Sequence, residues 1–402
     1  MALTDRYVSS AAGGGGDGSS GSPWTWAEML TSANAGDRVN VKADGTYSRT
    51  TNNDSFTNAG TAASPIWIRG YSSTIGDGNG GRDSNTDLVT TNMPSLTYTS
   101  GRIGGTAKDY IVWESINFSS SSLDNPFMSL TGVANTMINC KVAMSGTGGT
   151  SARPVGMNGN GSRLIDCDIS NTCTTAMAAI ATAHVNTIIG CKIKCTNKTG
   201  VRHESSQPTF IANSVIYGCV DGIATLTGTT GHIYCVNCTI QGCSSDGLEL
   251  FNGAHTNAPS FINCMITDCG GYAWNSLYTG TANLPIFRYY NRTRDNTSGD
   301  APSGGFDNHT NIGEVTTDGG SQSSDYVDYS NANFRLVKDS PAVGAGVFQY
   351  TSIGAFQRRE NVPAAADVKS AVTYGGYGAN DYTGSYSASG GGGPIMGGMV
   401  VR

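Results

Sequence analysis

Short apolar segments recur along the chain at intervals of 23 to 27 residues. They align on one column of residues, which consists of Ile116, Cys140, Cys167, Cys191, Ser214, Cys238 and Cys264. In every copy an apolar residue follows two positions later, and these are Phe118, Val142, Ile169, Ile193, Ile216, Ile240 and Ile266. This period of two indicates a short strand with one buried face.

A second column of cysteines follows four to six residues after the first, at Cys173, Cys195, Cys219, Cys243 and Cys269. Turn residues then lead to another apolar step, which begins at Val201, Ile223 and Leu248 in three successive copies. Each repeat therefore holds two or three short strands, and a unit of this size must stack on its neighbours to bury its apolar face. The sequence predicts an all-β solenoid whose cysteines are small apolar residues of the interior.

The start of the chain differs from the repeats. Residues 24–35 have a helical apolar pattern, which predicts a short amphipathic helix that covers the open N-terminal end of the solenoid. Its apolar positions are Trp26, Met29 and Leu30. The pair Val39 and Val41 then recurs as Ile66 and Ile68, an interval of 27 residues, which predicts one coil between them.

The two ends of the chain resemble a known family. Residues 7–47 are similar to the cap and first coil of right-handed parallel β-helix (pectate-lyase-like) proteins, and residues 333–357 resemble their last coil. Residues 366–375, ADVKSAVTYG, resemble a tail found on β-helix proteins of bacteriophages. The resemblance implies an N-terminal cap at 1–38, a parallel β-helix at 39–357 and a β-rich C-terminal tail for anchoring or oligomerisation at 358–402. Lyases, hydrolases, tailspikes and inert scaffolds share this fold.

Composition and charge exclude some functions. Charged residues make up 13% of the 402 residues, about half of the usual fraction, so Ser, Thr and Asn must cover the surface. The net charge of −6 disfavours a nucleic-acid partner, because neutralising phosphates requires clustered Lys and Arg. No apolar run is long enough for a membrane span, and no secretory signal is visible. We therefore expect no nucleic-acid or membrane partner, and reduced cysteines in the cytoplasm.

Candidate chemistry lies on the strand after the second turn. Alignment of the repeats places Arg202, Ala224 and Glu249 in one outward column, with His203 and Glu204 beside it. Arg202 and Glu249 are then two coils apart, about 9.6 Å. Glu204 and Glu249 suit the carboxyl separation of an inverting glycosidase, whereas Arg202 or His203 suits proton abstraction or enolate stabilisation by a lyase. We predict Arg202, Glu204 and Glu249 as catalytic and His203 as binding, with ordinary surface charge as the alternative.

Asp221 and Asp246 occupy equivalent positions in adjacent coils and are therefore expected about 5 Å apart. That equals the carboxyl separation of a retaining glycosidase, and we predict both as binding residues. Each precedes a glycine, and Asp-Gly is also a turn signature in which the glycine supplies a positive φ. The loop at 76–83, GDGNGGRD, only loosely imitates a calcium loop, so we predict no metal and no cofactor.

Three functions remain open at this point. The first, which the resemblance supports, is a bacteriophage virion surface protein, either a tail spike or fibre or a capsid decoration, that presents its β-helix face to polysaccharide. It implies a homotrimer, contacts with other virion proteins through the C-terminal tail, and assembly in the host cytoplasm. The second is a polysaccharide lyase or glycoside hydrolase of the β-helix type. The third is a bacterial surface adhesin or scaffold. Whether the chain is an enzyme is left open.

Overall fold

Three parallel sheets run along one axis and form the body of the molecule. The computed structural model describes residues 3–50, 53–78, 87–99, 101–104, 108–121, 126–147, 149–226, 231–250, 259–276, 286–301, 310–312, 325–328, 333–336, 340 and 342. In this part of the chain each full coil contributes one strand to the twelve-stranded sheet, then one to the ten-stranded sheet and one to the nine-stranded sheet. The protein is an all-β, right-handed parallel β-helix, as predicted.

The strands are short and pair in parallel with their counterparts in the next coil. The twelve-stranded sheet consists of Thr4–Val8, Asp37–Lys42, Ile66–Tyr71, Ile111–Glu114, Thr136–Ile138, Arg163–Ile165, Asn186–Ile189, Thr209–Ala212, Ile233–Val236, Ser260–Ile262, Phe287–Tyr289 and Thr310–Ile312. The ten-stranded sheet consists of Thr46–Arg49, Ser95–Tyr98, Asn117–Ser120, Lys141–Met144, Asp168–Asn171, Lys192–Cys195, Val215–Tyr217, Thr239–Gln241, Met265–Thr267 and Arg292–Arg294. The nine-stranded sheet consists of Asn53–Asp54, Arg102–Ile103, Pro126–Ser129, Arg153–Met157, Ala178–Thr182, Thr199–His203, Ile223–Thr225, Leu248–Leu250 and Trp274–Ser276. An antiparallel pair, Tyr326–Asp328 with Asn333–Leu336, follows.

The described helix, Trp26–Ser32, closes the N-terminal end of the interior, as predicted. It begins with a capping box, in which the Glu28 N–H donates to Thr25 Oγ1 (3.2 Å) and the Thr25 N–H donates to Glu28 Oε2 (2.7 Å). Trp26 is buried and stacks on Trp113 of the adjacent core, with ring centroids 6.1 Å apart. No helix in the described part of the chain has the length and apolarity to cross a membrane.

From the strand Ile111–Glu114 to the strand Phe287–Tyr289, one residue with a positive φ forms each turn from the twelve-stranded to the ten-stranded sheet. These residues are Ser115, Asn139, Asp166, Gly190, Asn213, Asn237, Asn263 and Tyr290, with φ between 49° and 67°. Most are Asn, Asp or Gly, which adopt this left-handed conformation more readily than other residues. The residues that directly follow the first seven of these make up the predicted column from Ile116 to Cys264, and all of them are buried.

The interior ladder follows the predicted alignment. Phe118, Val142, Ile169, Ile193, Ile216, Ile240 and Ile266 pair in register from coil to coil and are buried. All eleven cysteines are buried with free thiols, which confirms that they belong to the interior. Burial raises the pKa of Cys195 to about 11, so this thiol stays protonated and unreactive at neutral pH.

The predicted register of the first coils is wrong by two residues. Val39 pairs with Ile68, and Val41 pairs with Gly70. A shift of two keeps the same face of the strand inward, so the pattern of apolar residues is equally well satisfied by either register. Only glycine fits opposite Val41, because a Cβ at position 70 would overlap the carbonyl oxygen of Ser115.

The outer face of the ten-stranded sheet is partly covered by the chain itself. The Leu88 N–H donates to Asp168 Oδ2 (2.8 Å), which places the segment around Leu88 on this face. Further along, Tyr326 and Phe334 of the antiparallel pair pack on Val215. The predicted C-terminal tail, residues 358–402, and most of the predicted last coil lie outside the described residues.

Glycines at the start of successive strands of the nine-stranded sheet are required by close packing. The predicted positive φ at Gly222 and Gly247 is wrong, because neither residue is among those with φ in the left-handed region. Instead, a Cβ on Gly222 would overlap Cγ2 of Ile240 and lie 2.6 Å from the Gly247 carbonyl oxygen. Gly247 meets the Cγ2 of Ile266 in the same way.

We expect Gly222→Ala to lower the free energy of unfolding by about 1–3 kcal/mol, because the added methyl group has no space in the core. Urea unfolding monitored by circular dichroism measures this loss. Gly21→Ala is the matched control, since nothing lies within 4 Å of a Cβ at that position. Equal midpoints for the two variants would contradict the packing argument.

Candidate functional site

The outer face of the nine-stranded sheet carries the predicted site residues. Ala181, Arg202, Ala224, Glu249 and Asn275 pair in register and form one outward column. Arg202 and Glu249 are therefore two coils apart, about 9.6 Å along the axis, as the alignment predicts. Alanines flank Arg202 on both sides, so the arginine is the largest side chain on its part of the column.

Three carboxyl groups converge beside this column. Asp221, Asp246 and Glu249 each place one carboxylate oxygen within 4.8 Å of the others. Asp221 and Asp246 come from the turns that precede their strands and are buried, whereas Glu249 lies on the strand and is partly exposed. We call these residues the carboxylate cluster. The adjacency of the two aspartates was predicted, but Glu249 was predicted to act with Glu204.

Hydrogen bonds hold the aspartates of the cluster in place. Asp246 Oδ1 accepts from the Tyr272 N–H (2.6 Å), and Oδ2 accepts from Asn275 Nδ2 (2.7 Å). The Asp246 N–H in turn lies 3.4 Å from Asp221 Oδ1. Each aspartate therefore interacts with the backbone of the next coil, and its role extends beyond its own Asp-Gly turn.

The cluster perturbs the protonation of its members. Burial, together with the charges of Asp221 and Asp246, raises the pKa of Glu249 to about 7. The Glu249 carboxyl also hydrogen-bonds to Asp221, which keeps a proton on Glu249. Burial likewise raises the pKa of Asp221. A carboxyl group that titrates near neutrality can accept or donate a proton at a working pH, which is what general acid–base catalysis requires.

Two arginines form a second group on the same face. Arg202 Nε lies 3.1 Å from Glu204 Oε1, and Arg153 Nη1 lies 3.9 Å from Glu204 Oε2. Two guanidinium groups share one carboxylate, so this arginine pair has an excess positive charge. Glu204 is therefore held by the arginines and does not join the carboxylate cluster. Arg153 was missed because the repeat alignment of this strand was not extended upstream to the segment RPVGM, where it begins the strand.

His203 does not belong to the outer face, contrary to the predicted binding role. Its side chain is completely buried, and Nδ1 lies 3.1 Å from both Thr182 Oγ1 and Thr209 Oγ1. The alternation of a strand explains this placement, because the neighbour of an outward Arg202 must face inward.

The carboxylate cluster fits a calcium ion. Carboxylate oxygens are the ligands that Ca²⁺ prefers, and donor distances of about 2.3–2.6 Å allow ligand oxygens up to roughly 5 Å apart to share one ion. The observed limit of 4.8 Å satisfies this condition. No metal was predicted, because only the loop at 76–83 was considered as a calcium site and the three carboxyl groups were not considered together as ligands. In the loop at 76–83, Asp77 accepts from the backbone of Ser72 and Thr74, and residues 79–83 lie outside the described part.

The comparisons with known proteins agree on the fold. The family profile described as "Right handed beta helix region" matches residues 127–286. None of the curated proteins matches the chain. Among solved structures, pectate lyase Pel9A is 16% identical and aligns over 89% of this chain and 97% of its own, with a TM-score of 0.57. At this identity the likeness shows a shared fold alone.

Two further structures align with lower scores. The PL6 family polysaccharide lyase Pedsa3628 from Pseudopedobacter saltans is 13% identical, covering 82% of this chain and 96% of its own, with a TM-score of 0.36. An alginate lyase from Paenibacillus sp. str. FPU-7 is 11% identical, covering 72% of this chain and 99% of its own, with a TM-score of 0.36.

The raised pKa of Glu249 has a consequence for stability. A glutamic acid whose pKa is higher in the folded state destabilises the fold as pH rises from about 4.5 through about 7. We therefore expect Glu249→Gln to be more stable than wild type at pH 8 and equally stable at pH 4. The gain is about 1–2 kcal/mol after allowance for solvent screening. Urea unfolding at the two pH values measures it.

Glu204→Gln is the matched control, since it makes the same chemical change on the same face. It removes the partner of two arginines and is expected to give no gain at pH 8. A Glu249→Gln variant that gains nothing at pH 8 would contradict the electrostatic account of the cluster.

Proposed function

We propose that this protein is a polysaccharide lyase that acts on a polymer of acidic sugars. The polymer lies along the outer face of the nine-stranded sheet, where side chains repeat about every 4.8 Å. The observation that carries the proposal is the carboxylate cluster, in which Glu249 has a pKa of about 7. A β-helix that served only as a scaffold would not need a buried concentration of negative charge.

Glu249 is the proton-transfer group in this proposal. In β-elimination the proton next to the sugar carboxylate is removed, the bond to the glycosidic oxygen breaks, and a carbon–carbon double bond forms. Glu249 accepts the proton and returns it to the departing oxygen, so no external acid is consumed. A pKa near the working pH suits a group that must do both.

The arginine pair stabilises the negative charge that develops on the sugar carboxylate. Arg202 lies in the same outward column as Glu249, and its guanidinium group remains protonated in proteins, so it acts as an electrostatic stabiliser and not as the base. Arg153 also contacts Glu204, so a second positive charge lies close to Arg202.

Asp221, Asp246 and Glu249 would hold a calcium ion if one binds. The ion would supply positive charge to the sugar carboxylate. In that version Glu249 is ionised at a lower pH, because a bound cation favours the charged form of the carboxyl group. Pectate lyase Pel9A is an example of a lyase with the same fold, and its likeness supports the proposal only to that extent.

Hydrolysis is the second candidate reaction, and the carboxyl separation favours it. Retaining glycosidases place two carboxyl groups about 5 Å apart, and the cluster has oxygens within 4.8 Å. Glu249 would then be the acid, with Asp221 or Asp246 as the nucleophile. The products distinguish the reactions, because only elimination leaves an unsaturated sugar that absorbs in the ultraviolet.

A virion-surface location remains a separate proposal. It is supported by the ion-poor composition, the phage-like tail sequence and the eleven free thiols, which suit assembly in a reducing cytoplasm. Quantitative mass spectrometry of purified phage particles tests it. Hundreds of copies per particle would indicate a capsid decoration, a few tens would indicate a spike or fibre, and absence would refute the proposal.

The lyase proposal predicts ultraviolet-absorbing products from at least one uronate polymer in a panel of acidic and neutral polysaccharides. We expect Glu249→Gln to lower the rate by about 10²–10⁴-fold, because it removes the proton-transfer group. Arg202→Ala should lower it as well. Glu114→Gln, on the twelve-stranded sheet, is the control that should retain full activity.

Activity is also measured in EDTA. Loss of activity would support the version with a bound calcium ion, and full activity would support the version without one. Reducing ends without ultraviolet absorbance would overturn elimination in favour of hydrolysis. Activity that survives Glu249→Gln in the folded protein would overturn the role of the carboxylate cluster.

A further inference from the structure

The three sheets of the solenoid have very different outer faces. The nine-stranded sheet carries the carboxylate cluster and the arginine pair, and the ten-stranded sheet is partly covered by segments of the same chain. The twelve-stranded sheet instead presents a long row of apolar side chains. This row is separate from the proposed lyase site.

Seven consecutive coils contribute one apolar residue each to a single outward column. In order along the axis these are Ile138, Ile165, Ile189, Ala212, Val236, Ile262 and Tyr289, paired in register. The column is about 29 Å long and contains no charged residue. Except for Ala212, these side chains remain partly exposed in the described structure.

A second outward column runs beside the first on the same strands. It contains Thr136, Arg163, Thr187, Phe210, Tyr234, Ser260 and Phe287. Phe210 is 39% exposed and Tyr234 is 38% exposed, which places both among the most exposed large apolar side chains of the described residues. We call the two columns together, from Thr136–Ile138 to Phe287–Tyr289, the apolar strip.

We propose that the apolar strip is the contact face between copies of this chain. Identical subunits that meet through the same face bring like charges together, and the strip has one charged residue, Arg163, in fourteen positions. The rest of the surface must accommodate a net charge of −6. The part of the first column from Ile138 to Ile262 also has no side-chain hydrogen-bonding group for a sugar chain, so a protein surface is the better occupant.

The dimensions of the strip suit such a contact. Seven rows of about 4.8 Å and two columns of about 7 Å make it about 34 Å long and roughly 14 Å wide from edge to edge, or close to 480 Å² before side-chain relief is counted. A standard interface buries about 800 Å² on each partner, so the strip supplies most of the core of one. Its straight rows repeat about every 4.8 Å, and the rows of a second copy alongside have the same spacing.

Charges at the N-terminal end of the strip favour parallel copies. Arg69 and Glu114 are neighbours in the column that continues the strip. Side-by-side parallel copies bring these residues to the same end of the contact, where an arginine of one copy lies one coil, about 4.8 Å along the axis, from a glutamate of the next. Rotation about an axis parallel to the solenoid closes such an arrangement, and the predicted homotrimer is one closed form. The nine-stranded face then points outward to solvent.

The mass of the full chain in solution, measured by multi-angle light scattering, tests the proposal. Wild type is expected at a multiple of 41.6 kDa, and Ile189→Lys at 41.6 kDa, because a buried unpaired charge breaks the contact. Val236→Lys, two coils further along the same column, should have the same effect. Val185→Lys is the control, since Val185 is an exposed apolar residue (41%) outside the strip.

A second measurement avoids a disruptive substitution. The natural cysteines are all buried, so a new surface thiol is the one that reacts with a maleimide. Thr187→Cys lies in the strip and should react at least tenfold more slowly than Val185→Cys. A monomeric wild type at tens of micromolar, unchanged mass in both lysine variants, or equal reaction of the two new thiols would each overturn the proposal. Loss of polysaccharide binding in the lysine variants at unchanged mass would also overturn it, in favour of a sugar-binding strip.

Discussion

The hydrogen-bonded, in-register contact between successive coils is the interaction on which the rest of the structure depends. A single coil has three strands of a few residues each and cannot bury its apolar side chains alone. When coils stack, Phe118, Val142 and the isoleucines below them form one continuous ladder. The same stacking places Gly222 against Ile240 so closely that a methyl group has no space. Register and packing are therefore one constraint.

The constant rise between coils also creates the candidate site. Asp221 and Asp246 stand at equivalent turns of adjacent coils, and the stack holds them close together although like charges repel. Asn275 and the Tyr272 backbone, both from the next coil, satisfy the oxygens of Asp246. Glu249 adds a third carboxyl group, and its pKa of about 7 is the result of burial and of the neighbouring negative charges. The scaffold thus maintains a charge arrangement that a flexible chain would relax.

The outer faces of the three sheets differ in what covers them. Chain segments near Leu88 and Phe334 cover parts of the ten-stranded sheet, so its outward Val215 is buried. The nine-stranded sheet keeps charged residues in contact with solvent or with each other. The twelve-stranded sheet exposes aliphatic and aromatic side chains in register, and this is the face for which we propose a second copy of the chain as the partner.

The sequence by itself determined the solenoid, its interior ladder and the rise from one coil to the next. The column from Ile116 to Cys264 and the separation of Arg202 from Glu249 follow from a repeat length and a fixed rise per coil. Only the tertiary structure decided which side chains of neighbouring coils meet on one face: Glu249 with the two aspartates, and Glu204 with Arg153. Those contacts depend on the path of each turn, which changes direction within two or three residues. Residue spacing records how far along the chain two groups lie, but not the angle at which the chain bends between them.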